Sequence, residues 1–214
     1  MAKQNRSHAV MAQRNLTLSD PDNFPTPPWA TRALMEKILK KLFKIKQNCL
    51  EPACGQGHMA KALEEYFENV IAFDKYDYDF GHQQDFLIND LNDGQFDWVI
   101  TNPPFKLAEE FIFEGLRVAS IGVGMLVRTS FIESVGRYDR IFKKKPPSIL
   151  AQFSERVPMI KGRLDPKATT ATSYAWLLWL KKEEYKSTQL RWIPPCRKTL
   201  EKEFDYTEDI NLNQ

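Results

Sequence analysis

Between residues 49 and 142 the sequence keeps changing period. Short apolar runs that stop at polar residues alternate with stretches whose apolar positions recur every three or four residues. Residues 49–50 run into Glu51, residues 70–73 stop at Asp74, and residues 96–100 stop just before Asn102, with a fourth run at 123–127. Helical spacing fills the intervals at 31–44, where Leu34, Ile38 and Leu42 share a face behind Thr31, and at 58–67, 107–119 and 131–142. Strands alternating with helices imply parallel pairing through crossover helices, so the expected fold is α/β with a doubly wound, mostly parallel sheet. Beyond Pro147 the alternation stops. Residues 149–153 and 174–180 both read as strands with no helix between them, which predicts an antiparallel hairpin at one edge.

A chain of 214 residues with 43% hydrophobic and 27% charged residues suits one domain with a full core. That domain is expected over 24–200, between a polar N-terminal tail (1–23) and an acidic C-terminal tail (201–214). No apolar run approaches the roughly 20 residues of a membrane span, and the N-terminal stretch lacks the apolar centre of a secretory signal. A cytoplasmic protein is expected, with no membrane partner. Cys49, Cys54 and Cys196 form no CxxC pair, and His8, His58 and His82 are scattered, so no metal site is expected.

In an open parallel sheet, ligands sit beyond the carboxyl ends of the strands. After the first strand comes Glu51-Pro52-Ala53-Cys54-Gly55-Gln56-Gly57, where Gly55 and Gly57 allow a tight turn and close approach to a ligand. Asp74 follows the second strand, nineteen residues after Gly55, near the spacing of an acid that takes ribose hydroxyls. Together these point to an adenosine-containing cofactor. The turn also fits the dinucleotide pattern GxGxxG/A, but it opens with Glu51. A carboxylate repels a pyrophosphate and attracts the ammonium of S-adenosylmethionine, which puts the latter ahead of NAD.

After the third strand the chain reads Val99-Ile100-Thr101-Asn102-Pro103-Pro104-Phe105. Two prolines remove backbone donors, so this corner offers acceptors and little else. It suits a ligand that brings N–H groups.

These motifs resemble those of class I S-adenosylmethionine-dependent methyltransferases, and Asn102-Pro103-Pro104-Phe105 resembles the catalytic motif of the amino-methyltransferases, chiefly the N6-adenine DNA type. Phe24-Pro25-Thr26-Pro27-Pro28 is similar to the segment that precedes the fold in such proteins and closes over the methionine end of the cofactor. The resemblance spans residues 24–180 and implies a Rossmann-like methyltransferase fold. It implies that Phe24, Thr26, Glu51, Ala53, Gly55 and Gly57 surround the cofactor, with Glu51 on the ammonium and Asp74 on the ribose. Asp85 would accept from the adenine amino group, or else cap a turn; Phe86 would pack on the adenine, or else in the core. The Asn102 side-chain oxygen and the Pro103 carbonyl would each accept an N–H of the target amine, holding its lone pair toward the methyl group. Pro104 would stiffen the loop, and Phe105 would stack on a flipped base at about 1–3 kcal/mol.

Members of the restriction type carry a separate target-recognition region, and this sequence resembles a small stand-alone form without one. Sequence specificity is then low or supplied by a partner. Net charge is +2, yet the five acids after residue 200 leave the rest more basic. Lys161, Arg163 and Lys167 lie in a long irregular stretch that could contact phosphates. Nucleic acid, DNA ahead of RNA, is the expected substrate. RNA adenine and a protein glutamine amide present the same planar NH₂ and stay open.

Overall fold

The computed structural model describes residues 22–40, 47–181 and 187–206. Eight strands form one sheet: β1 (Asn48–Glu51), β2 (Asn69–Asp74), β3 (His82–Gln83), β4 (Phe96–Thr101), β5 (Ala119–Arg128), β6 (Ile149–Phe153), β7 (Tyr174–Leu180) and β8 (Gln189–Ile193). Their spatial order is β3-β2-β1-β4-β5-β7-β6-β8. The first five run parallel, and β7 is antiparallel to both β5 and β6. The chain winds outward from β1 to β2 on one side and from β4 to β5 on the other. The carboxyl ends of β1 and β4 therefore meet where the winding reverses, the position at which doubly wound sheets open a crevice.

Side-chain alternation divides the core into two layers. Trp98, Ile100, Trp176 and Leu178 point to one face, where they pack with Trp29 and Leu34 of the first helix. Val99, Leu177 and Trp179 point to the other and meet Phe111 and Ile112. Both faces are covered, so the central strands read as near-continuous apolar runs. The covering helices are α1 (Pro28–Ala33), continued by a π-helical turn over Leu34–Leu39, then α2 (His58–Leu63) and α3 (Ala108–Val118).

Several expected elements shift. The first helix starts at Pro28 rather than Thr31, because proline at the first helical position needs no N–H partner and has φ already set. Thr31 is fully buried within it. Leu42 and the end of that predicted helix lie outside the described residues. The stretch 131–142 does not form one helix. A 3₁₀ turn (Thr129–Ile132), a short α-helix (Val135–Arg137) and a π turn (Tyr138–Phe142) replace it. Ser134 has extended backbone and accepts from the Arg137 N–H at 3.4 Å, so the helix breaks at this residue and restarts behind it.

The antiparallel pair β6–β7 forms as expected, but it is not the edge. β8 pairs parallel to β6 outside it. Four of the five β8 residues are exposed, so no alternation marked it as a strand.

Asp22 and Asn23 belong to the folded body, and residues 1–21 lie outside the described part. The acidic stretch opens as structure rather than as a tail: the Asp205 side chain is 1% exposed and pairs with Arg32 of α1 at 2.8 Å. Residues 207–214 lie outside the described part. Among the described residues, no helix is long and apolar enough to cross a membrane, and no group of three His, Cys, Asp or Glu side chains could hold a metal.

Candidate active site

A cleft of about 500 Å³ opens at the carboxyl ends of β1, β2 and β4, within the range of small-molecule sites. One half is built from the loop after β1. Glu51 ends that strand and is buried. Its Oε2 has no hydrogen-bond partner. Burial, and then the neighbouring charge of Asp74, pushes its carboxyl well above the usual range. The loop turns through Gly55 (φ 49°) and Gly57 (φ 84°). A Cβ at Gly57 would sit 2.5 Å from the Phe80 ring, so that ring and the positive φ together require glycine. Gly57 shapes the loop without lining the cleft, whereas Ala53 and Gly55 line it.

Asp74 ends β2 and fastens this loop. Its two oxygens accept from the N–H groups of Gly55 and Tyr76, each at 2.9 Å. Burial still raises its carboxyl. Asp85 lines the cleft and also caps a turn, accepting from the Leu87 N–H at 3.0 Å, and it pairs with Lys75 at 3.0 Å. Burial pushes its carboxyl up, but those two partners outweigh burial and hold it below the usual range. Phe86 is 1% exposed, packs against Phe111 with centroids 5.1 Å apart, and borders the cleft as well. Core packing and cleft lining are thus combined in one ring.

The other half is the corner after β4. The Asn102 amide nitrogen donates to the Phe24 carbonyl at 2.9 Å and lies 3.7 Å from the Met159 sulfur. Its Oδ1 is buried without a partner. Two donations from the nitrogen fix which way the amide faces, and they leave the acceptor free. Pro103 is buried behind the corner, while Pro104 and Phe105 line the cleft. The Phe105 N–H donates to Asp22 at 2.8 Å. Phe24 tilts against the Phe105 ring at 5.5 Å, and the Arg128 guanidinium lies 4.0 Å above it.

Residues 22–27 form a strap across the cleft. It holds the corner through Asp22 and Phe24. Asn23 reaches the glycine loop at Gln56 (3.4 Å), and its carbonyl accepts from Gly162 (2.9 Å). Thr26 is buried and lies 3.8 Å from the Met159 sulfur. Asp22, Asn23, Tyr76, Tyr78 and Arg128 line the cleft and were not anticipated. For Tyr76 and Tyr78 a signal existed in the aromatic run behind Asp74.

Lys161, Arg163 and Lys167 do not line the cleft. Arg163 faces Asp165 at 3.7 Å, and the Lys167 N–H donates to the same carboxylate at 2.8 Å. Their loop meets the strap at Gly162 and stands beside the cleft instead of inside it.

No family model and no curated protein matches the sequence. Solved structures match the fold. For a modification subunit provisionally ascribed to a type I restriction enzyme of Vibrio vulnificus, identity is 14% and the TM-score 0.56; the likeness covers 91% of this chain and 53% of that one. For a protein of Pyrococcus horikoshii provisionally named as an RNA methyltransferase, identity is 15% and the TM-score 0.56, over 80% of this chain and 96% of that one. The chain thus spans about half the length of the Vibrio subunit. The architecture is that of Rossmann-like methyltransferase structures.

Proposed function

We propose that this protein is an S-adenosylmethionine-dependent methyltransferase whose acceptor is the N6 amino group of adenine in nucleic acid, DNA ahead of RNA. The observation that carries the reading is the buried, unpartnered Oδ1 of Asn102, held in place by the donation of its amide nitrogen to Phe24. An exocyclic amine is a poor nucleophile because its lone pair is delocalised into the ring. A fixed acceptor on one N–H favours the geometry in which that lone pair is free to attack. S-adenosylmethionine would supply an electrophilic methyl group with a neutral thioether as leaving group, so positioning and electrostatics suffice for rate. As the new N–C bond forms, the methyl group's bond to sulfur would break, and the proton the amine gives up would pass to solvent water.

The residues fit the cofactor. Glu51 is a buried acceptor without a cation, which matches an ammonium. Asp74 is already anchored by two backbone N–H groups and retains lone pairs for ribose hydroxyls. A base inside a duplex cannot reach this cleft, so a DNA substrate is flipped out. The test is incubation with labelled cofactor and double-stranded DNA, single-stranded DNA, RNA or protein, followed by nucleoside and amino-acid analysis. N6-methyladenine in DNA is the expected product. Label in RNA alone revises the polymer, and label confined to glutamine overturns the reading.

Glu51 also sets up opposed effects on stability and binding. A carboxyl raised by burial binds more protons folded than unfolded. Between the ordinary carboxylate value and the raised one, stability therefore falls as pH rises. Glu51→Gln removes that loss and raises Tm at neutral pH. It weakens cofactor binding by about 1.5–3 kcal/mol, roughly ten- to a hundredfold, by deleting a charged partner. In the parent, binding releases a proton, so cofactor affinity rises with pH through the same window. Calorimetry and thermal melts read both; a lowered Tm with unchanged affinity would remove Glu51 from the site.

A further inference from the structure

Charge is divided across the cleft. Glu51, Asp74 and Asp85 line the half assigned to the cofactor, whereas Lys106 and Arg128 border the half around Phe105. Most cations near this end of the sheet are neutralised. Lys75 is taken by Asp85, and both Arg137 and Arg140 are taken by Glu109 at 3.2 and 2.8 Å. Lys106 and Arg128 form no ion pair among the described residues. Lys106 is exposed and directly follows Phe105. Arg128 ends β5 and lays its guanidinium over the Phe105 ring at 4.0 Å. Its Nε is buried with no acceptor. Asp22, the carboxylate near this cluster, is engaged by the Phe105 N–H.

A guanidinium is planar, stacks well and presents a fork that matches a phosphate. Here it lies on a face of the ring that a planar acceptor would otherwise cover, and one of its donors has nothing to bond. Both features are resolved by the same movement. An incoming base takes the ring face while the displaced fork turns to the phosphate carried by that nucleotide. We infer that Arg128, assisted by Lys106, reads the phosphodiester flanking the target base and so makes the cleft selective for a nucleic acid over an uncharged amide. This inference rests on the function proposed above and assigns residues to its substrate half.

The experiment compares kcat/KM for an oligonucleotide and for the same oligonucleotide with a neutral methylphosphonate at the linkage flanking the target adenine, using the parent, Arg128→Ala, Arg128→Lys and Lys106→Ala. The parent is expected to lose about tenfold or more on the neutral linkage, the size of one charge-assisted contact. Arg128→Ala should lose about as much on the natural oligonucleotide and little further on the neutral one, because both changes delete one contact. Arg128→Lys should recover part of the loss. The slope of log affinity against log salt should flatten by about one in Arg128→Ala, a change that lost packing would not produce. Cofactor affinity within a few-fold of the parent shows that the variants are folded. Losses that multiply, or an unaltered salt slope, overturn this assignment while methylated adenine still upholds the function. Label in protein and none in nucleic acid overturns both.

Discussion

Asn102→Ala is expected to lower kcat for methyl transfer by about 10²–10³, the range seen when one preorganised hydrogen-bonding group is removed from an active site. Cofactor and nucleic-acid affinities should stay within a few-fold. The loss falls on kcat because the acceptor matters most as the amine rehybridises. Asn102→Asp is more discriminating. It keeps an oxygen in the cleft but sets the second one against the Phe24 carbonyl, where the amide nitrogen now lies at 2.9 Å. Two acceptors at that distance repel unless a proton sits between them. The aspartate variant should therefore fall between alanine and the parent, and it should gain activity as pH is lowered and the carboxyl becomes able to donate to Phe24. Single-turnover rates across pH measure this. Parent-like rates for both variants would reduce the corner to a strand terminator.

The corner at Asn102 combines one feature that is visible in the sequence with one that is not. Asn102 stood out because it follows an apolar run and precedes two prolines, and a doubly wound sheet gathers the residues that follow its strands. Glu51 and Asp74 were visible for the same reason. The partner that orients Asn102 is a backbone carbonyl 78 residues away, and no side-chain pattern marks a carbonyl. Met159 is similarly remote, and its sulfur reads in sequence as one more core residue. Asp22 and Asn23 carry no signal of their own, because polar residues before a proline-rich segment look like the end of a tail. Their role rests on contacts to three separate loops.

Arg128 is different, because the signal existed. The rule that picks out residues after strands applies equally to the fourth apolar run, which ends at Val127, one residue short of Arg128. Lys161, Arg163 and Lys167 stand together in sequence by proximity alone, and Asp165 lies between them as a local partner. For the fold, buried strands were legible through their apolar runs. β8 was not, since most of it faces solvent on an edge. The interrupted helix after β5 shows a local cap at Ser134 overriding an apolar spacing that looked continuous.

The C-terminal segment supports the largest expected effect on stability. Arg32 lies on α1 with its side chain 3% exposed, and it is held by Asp205 (1% exposed) and by Glu65 at 2.8 and 2.7 Å. It also donates to the Leu200 carbonyl at 2.8 Å. Lys202 adds a second cation on Glu65 at 2.7 Å, so residues 200–205 are clamped to α1 and to the turn after α2. Asp205→Ala leaves the buried donors of Arg32 that Asp205 satisfied with Glu65 as their one remaining carboxylate among the described residues, and breaking a buried pair costs about 3–5 kcal/mol. Asp205→Ala should therefore lower Tm by roughly 6–20 °C for a domain of this size. Replacing both Arg32 and Asp205 by apolar residues should recover much of that loss, because no charge is then left unpaired. The pH dependence gives an independent readout. Burial raises the Glu65 carboxyl, but the hydrogen bonds and charges of Arg32 and Lys202 outweigh it and leave it below its ordinary value. Its contribution is present above the unfolded carboxylate pKa and is lost as pH falls through the lowered one. Arg32→Ala should flatten that acid limb, whereas Asp205→Ala should leave most of it, since Lys202 and Arg32 still face Glu65. Denaturant melts between neutral and acid pH read the difference, and an Asp205→Ala protein as stable as the parent would show that the segment rests on α1 without holding it.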